Sequence, residues 1–224
     1  MMNFLKWFMV FFLGFGMGTL VRAESGPWLQ ELSLQAGCAV PTEVNHLSDS
    51  EKLGPVGGVR YLYSIRETFA WGLQADVYHL SPKDHTLSSQ FGAPLNVRST
   101  DDAATAEIVG RYTFIPQARL VPYVHMGLGA AYFHQKSDAQ PTGGAGWADT
   151  GTTESRQVQE ASSTGFSYSA GVGVETQITD SLVLGLETAW HIMGVHQSDF
   201  GTNAINVPVV SLRLGWHFGH YSDE

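Results

Sequence analysis

The chain has 224 residues, 43% hydrophobic and only 15% charged, with 25 Gly, one Cys and a mean hydropathy of −0.05. That balance excludes a disordered chain, which needs low hydrophobicity and high charge. It also excludes a polytopic helical membrane protein, which needs several runs of about 20 apolar residues, and a disulfide scaffold, since Cys38 has no partner. Twelve basic against 21 acidic residues give a net charge of −9, which argues against a nucleic-acid binder.

Residues 1–23 predict a secretory signal peptide, leaving 24–224 as one mature domain. Lys6 is the short positive region, 7–20 is an uncharged apolar run, and Val21-Arg22-Ala23 puts a small residue at the cleavage site. An uncleaved anchor helix is the alternative, but about 14 apolar residues are short for a span. Removing Lys6 and Arg22 leaves 10 basic and 21 acidic residues, a net charge of −11.

Beyond residue 23 no segment carries a helical apolar period. Alternation with period two recurs instead, and it predicts eight strands: 29–38, 55–65, 69–80, 104–115, 120–134, 164–178, 182–193 and 207–218. Strands of globular proteins run to about five or six residues, whereas a tilted membrane-spanning strand needs about 9–11. The predicted connections alternate in length. Those at 66–68, 116–119 and 179–181 are short; those at 39–54, 81–103, 135–163 and 194–206 are long and hold most of the Ser, Thr, Asp and Pro, including the glycine run at 143–146. This predicts an all-β fold, an eight-stranded antiparallel up-and-down transmembrane β-barrel with short periplasmic turns and long extracellular loops.

The faces follow from the alternation. In 207–218, Val210, Leu212, Leu214, Trp216 and Phe218 share one side, and Ser211, Arg213, Gly215 and His217 the other. In 182–193, Leu182, Leu184, Leu186, Trp190 and Ile192 oppose Gly185, Glu187, Ala189 and His191. The apolar sides are predicted to meet lipid, with Tyr61, Tyr63, Trp71, Tyr112, Phe114, Tyr132, Trp190, Trp216 and Phe218 as aromatic girdles at the two interfaces. The opposite sides carry Gly, Ser and single charges, which suits a narrow polar lumen. There, Arg60, Gln74, Asp76, Glu107, Arg111, Glu175, Glu187 and Arg213 are predicted to form a hydrogen-bonded network that closes the pore, because unpaired charges in an eight-stranded interior are expensive. A path for protons or small solutes is the alternative. The glycine pairs Gly127/Gly129 and Gly171/Gly173 lack a third glycine and a following helix for phosphate binding. They predict a thin wall where bulky groups approach.

Three stretches carry a family resemblance: 120–133 (LVPYVHMGLGAAYF), 165–188 (GFSYSAGVGVETQITDSLVLGLET) and 212–218 (LRLGWHF). With them the chain resembles the small eight-stranded outer-membrane barrels, the OmpW-, OmpX- and opacity-protein-like group. The resemblance implies a Gram-negative outer-membrane location and the barrel assembly machinery, outer-membrane lipid and lipopolysaccharide as partners. It implies loops presented for surface interaction or envelope integrity, and passage of small hydrophobic compounds. Members usually stop at a terminal Phe, whereas this chain continues six residues past Phe218.

No cofactor, metal or catalytic set is expected. His46, His85, His134 and His196 lie near the long-loop end without a diagnostic metal spacing. Some barrels of this size modify lipid A, the deacylase type with a lipid-facing His and Ser two residues apart and an acid beyond. Around His191, Met193 stands where the nucleophile would be, and Met cannot serve as one. His79-Leu80-Ser81 has the spacing but no evident acidic partner. A lipid A modifying enzyme is therefore the alternative function, and a soluble secreted ligand-binding barrel the less favoured one.

Overall fold

The computed structural model describes residues 28–40, 53–80, 85–87, 95–116, 118–141, 156–197 and 201–220. The expected signal peptide, His46 and the glycine run at 143–146 lie outside them. Nine strands follow in chain order: β1 (Trp28–Ala39), β2 (Gly54–Arg66), β3 (Phe69–Leu80), β4 (His85–Leu87), β5 (Leu95–Thr113), β6 (Val121–Pro141), β7 (Arg156–Gln177), β8 (Leu182–Gln197) and β9 (Gly201–His220). Eight of them form a closed antiparallel barrel. Each long strand pairs with its chain neighbour, β3 pairs with β5, and β1 closes onto β9, while the three-residue β4 only caps the end of β5.

Register fixes the barrel's shape. Stepping across strand partners from Gln35, one direction passes Gly58, Asp76, Thr105 and Ala131 to reach β7 at Gly165. The other passes Arg213 and Gly185 to reach β7 at Glu175. That ten-residue stagger is the shear that tilts the strands and sets an interior just wide enough for side chains to fill.

Alternation then sorts the side chains. Leu34, Val77, Ile108, Met126, Leu128, Val172, Leu186 and Leu212 lie exposed on the outer face. A soluble barrel would leave no such belt, because exposing it to water costs about 25 cal/mol per Å². Aromatic side chains edge the belt. Tyr63, Trp71, Tyr112, Phe114, Trp216 and Phe218 stand near the short-turn end; Tyr132, Phe166 and Trp190 stand toward the other. Tyr61 also points outward, half-buried, its hydroxyl on Gln30. Cys38 is exposed on this face.

The long-loop end differs from the sequence expectation. The segments 81–103, 135–163 and 194–206, expected as loops, are in large part strand: β5 starts at Leu95, β6 runs to Pro141, β7 starts at Arg156, and β8 and β9 pair up to Gln197↔Gly201. Neighbouring strands satisfy one another's backbone groups there, so the ladders continue where the apolar alternation that revealed the spanning part has stopped.

Candidate functional site

The lumen is built by the inward residues of all eight barrel strands. The eight predicted residues, Arg60, Gln74, Asp76, Glu107, Arg111, Glu175, Glu187 and Arg213, are all buried inside it. Two clusters emerge. Toward the short-turn end, Glu31 takes Arg111 at 2.8 Å and a second bond from Arg213, and Glu175 takes Arg213 and Arg111, the latter at 3.2 Å. The Tyr123 ring lies beneath both guanidiniums, 5.4 Å from Arg111 and 5.0 Å from Arg213. Higher up, Arg60 donates twice to Glu187 at 2.7 Å and once to Gln74, and the Tyr123 hydroxyl donates to Glu187 at 2.8 Å. Three guanidiniums thus face three carboxylates.

Asp76 and Glu107 stand apart from that balance. Asp76 accepts from Gln74 at 2.6 Å and from Gln35. Glu107 accepts from Ser169 at 2.5 Å and from Ser167. Beside them are two buried imidazoles: His191 Nδ1 is 3.9 Å from Glu107, and His125 Nδ1 is 3.6 Å from Glu187. Neither nitrogen of His125, nor Nδ1 of His191, has a hydrogen-bond partner among the described residues.

Sequence reasoning missed Glu31, Gln35, Tyr123, His125 and the inward placement of Tyr78. The signal was present in β6, where Tyr123, His125, Gly127 and Gly129 alternate with Val124, Met126 and Leu128. The glycines match their large neighbours. A Cβ at Gly173 would overlap the Tyr123 ring, one at Gly171 the His125 ring, and one at Gly127 the Glu107 carboxylate.

The outer part of the lumen corrects the expectation of a polar interior. Ala39, Val56, Tyr78, Leu80, Ala103, Ala131, Phe133, Met193, Val207 and Val209 form one buried apolar cluster above the charges. A barrel that continues past the membrane needs a dry core there, as a soluble one does. Met193 and His191 belong to this interior, so neither reaches lipid.

On the outside, His79 has the acidic partner that the sequence did not reveal. Its Nδ1 is 2.7 Å from Asp102 Oδ1, on the neighbouring strand and largely exposed. Ser81 lies outside the described residues. His134, opposite Asp102 in register, is 3.8 Å from Glu160. The side chains of His85 and His196 lie outside the described residues. Among the described residues no three His, Cys, Asp or Glu side chains already converge as a metal cage.

An apolar belt outside, a filled lumen inside and long strands closed edge to edge define an integral outer-membrane barrel protein. The chain belongs to the outer membrane protein beta-barrel domain family, whose model matches residues 9–218, and this places it in the outer membrane of a Gram-negative bacterium. No protein of curated function matches the sequence. Among solved structures, the attachment invasion locus protein Ail of Yersinia pestis is similar at 13% identity and a TM-score of 0.46, over 86% of this chain and 99% of that one. Neisserial surface protein A is similar at 15% identity and 0.46, over 84% and 97%. OprG of Pseudomonas aeruginosa is similar at 10% identity and 0.44, over 87% and 98%.

Proposed function

We propose that this is a non-enzymatic barrel whose sealed interior anchors an extracellular β-sheet, and that this sheet is the working surface for ligands in the external medium. The observation that carries the reading is the height of β6. It continues from Phe133 to Pro141 beyond the outer aromatic Tyr132, laddered to β5 on one side and β7 on the other. Nine residues at about 3.3 Å each give roughly 30 Å of strand. A rigid scaffold carrying its connections away from the membrane is a usual place for binding. The lumen cannot serve as a water-filled channel, because paired charges and the apolar cluster fill it. The aromatic bands read as interfacial girdles against outer-membrane lipid and lipopolysaccharide, and the alternating aromatics of β9 read as the mark for the assembly machinery.

The test is a chain in which residues 138–157 are replaced by Asn-Gly, joining β6 to β7 by a tight turn. Cells displaying it should lose adherence to surfaces that the parent binds, while heat-modifiable migration on denaturing gels stays intact. Adherence equal to the parent's would overturn the reading.

A second reading, uptake of small apolar solutes, is favoured by the apolar cluster and by the wall beside it. The β7–β8 ladder ends at Ser167↔Met193, although β7 extends to Arg156 and β8 to Gln197. Faster entry of an apolar fluorophore into proteoliposomes than into protein-free vesicles would favour it.

A further inference from the structure

We propose that His191 and Glu107 form an acid-dependent latch that fastens the outer end of the β7–β8 seam, closed when the imidazole carries a proton and slack when it does not. The inference holds whichever ligand the extracellular sheet takes.

Position comes first. The last two inward-facing pairs of the β7–β8 ladder are Ser169↔His191 and Ser167↔Met193. Beyond them β7 and β8 run on, to Arg156 and Gln197, with no pairing between the two strands among the described residues. Glu107 reaches these last pairs from β5 by crossing β6. Gly129 lies opposite both Glu107 and Ser167, and a Cβ at Gly127 would overlap the Glu107 carboxylate, so the glycines of β6 clear its path. At the end of that path Glu107 accepts from Ser167 and, at 2.5 Å, from Ser169. One carboxylate thus holds the β7 side of the seam. The β8 side is His191, whose Nδ1 is 3.9 Å from Glu107 Oε1.

Chemistry comes second. His191 and Glu107 are each only 2% exposed. Nδ1 of His191 has no hydrogen-bond partner among the described residues. No guanidinium lies within ion-pair distance of Glu107 among them either. A carboxylate oxygen has two lone pairs, so the Ser167 hydroxyl on Oε1 leaves one open. Across 3.9 Å a neutral imidazole makes no hydrogen bond to it. An imidazolium supplies the missing positive charge and a charge-assisted bond, about twice as strong as a neutral one. A small rotation of either side chain closes the distance, and β5, β7 and β8 are then tied through one carboxylate.

The surroundings come third. Glu107 from β5 and Asp76 and Tyr78 from β3 face the imidazole, the Tyr78 ring edge-on at 5.6 Å. His125 faces it from β6, Ser169 from β7 and the uncharged Val207 from β9. Arg60 of β2 is engaged by Glu187 and Gln74. The two carboxylates favour a proton on His191, and His125 opposes it only when itself protonated. Imidazoles ordinarily change charge between about pH 5 and 8, so that is the range in which the latch operates.

The test reads amide hydrogen exchange at 167–169 and 191–193 in the full mature chain, refolded into detergent and compared at pH 5 and pH 8 after correction for the intrinsic pH dependence of exchange. Local opening of the seam sets this protection. The wild type should be protected at least about tenfold more at pH 5, the scale of one hydrogen bond to a charged group. His191→Gln should fold and lose the pH dependence, and Glu107→Gln should lose it too. His79→Ala and His125→Gln should keep it. Should Glu107→Gln not fold, side-chain nitrogen NMR of wild-type His191 decides, and it should show an imidazolium at pH 5. Equal wild-type protection at the two pH values, a pH dependence that survives in His191→Gln, or a His191 ring still neutral at pH 5 would each overturn the proposal.

Discussion

Arg60 and Glu187 face each other across the lumen from β2 and β8, joined by two parallel hydrogen bonds of 2.7 Å. Neither side chain has meaningful contact with solvent. Removing one partner leaves a buried charge without its counterion, which typically costs about 3–5 kcal/mol, whereas replacing both with apolar groups of like volume is often neutral. Glu187→Gln should therefore lower barrel stability by about that amount, and Arg60→Met with Glu187→Leu should recover most of it. Urea titrations in lipid, read by heat-modifiable migration, separate the two. Equal losses in the single and double variants would show that the pair does not act as a unit.

Leu186 neighbours Glu187 but points the other way, 51% exposed in the middle of the outward belt. An arginine there enters lipid near mid-strand and should cost about 2–4 kcal/mol. The same urea titration measures it. A neutral Leu186→Arg would mean that this face does not meet hydrocarbon.

Gly173 sits against the Tyr123 ring, where a Cβ has no room. Gly173→Ala should push Tyr123 off the two guanidiniums and cost about 1–3 kcal/mol, the usual scale of overpacking. Pairing it with Tyr123→Leu should relieve part of that loss. Additive effects of the two changes would contradict the contact.

Asp101 lies beyond the outer aromatic Tyr132, whose register partner is Ala104. Burial holds its carboxyl up at about 6, only partly offset by Gln135. The folded state therefore binds a proton more tightly than the unfolded chain, so this residue's contribution is most favourable near pH 4 and is lost as pH rises through 6. The loss amounts to about 3 kcal/mol at most, at 1.36 kcal/mol per unit. Asp101→Asn should remove that part of the slope, and urea midpoints between pH 4 and 7 would measure it. A wild type that gains as much stability as the variant over that range contradicts the assignment.

Much of the fold was legible because a barrel wall writes itself in period two. Leu184, Leu186 and Trp190 against Gly185, Glu187 and Ala189 mark inside and outside without any knowledge of partners. The closing register of Gln35 with Arg213 and Gly58 was not legible, since each strand alone is indifferent to its stagger. Neither were the strand extensions around Leu95, Pro141 and Arg156, which ladder bonds hold and no apolar stripe announces. At the lumen, single charges such as Arg60 and Arg213 stood out in apolar strands. Glu31 and Tyr123 did not, because their importance lies in what crosses the barrel to meet them. The His79–Asp102 pair was hidden for the same reason, its members being 23 residues apart in the chain and adjacent only after β3 meets β5.

If the barrel is a sealed anchor whose activity resides on its outer sheet, single-channel recording in planar bilayers will find no path through it. Inserted wild-type protein, folded by the heat-modifiability criterion, should leave the bilayer conductance at its protein-free baseline. A steady ohmic conductance that changes in Arg60 or Glu187 variants would contradict a sealed barrel, because ions would then be passing through the lumen network.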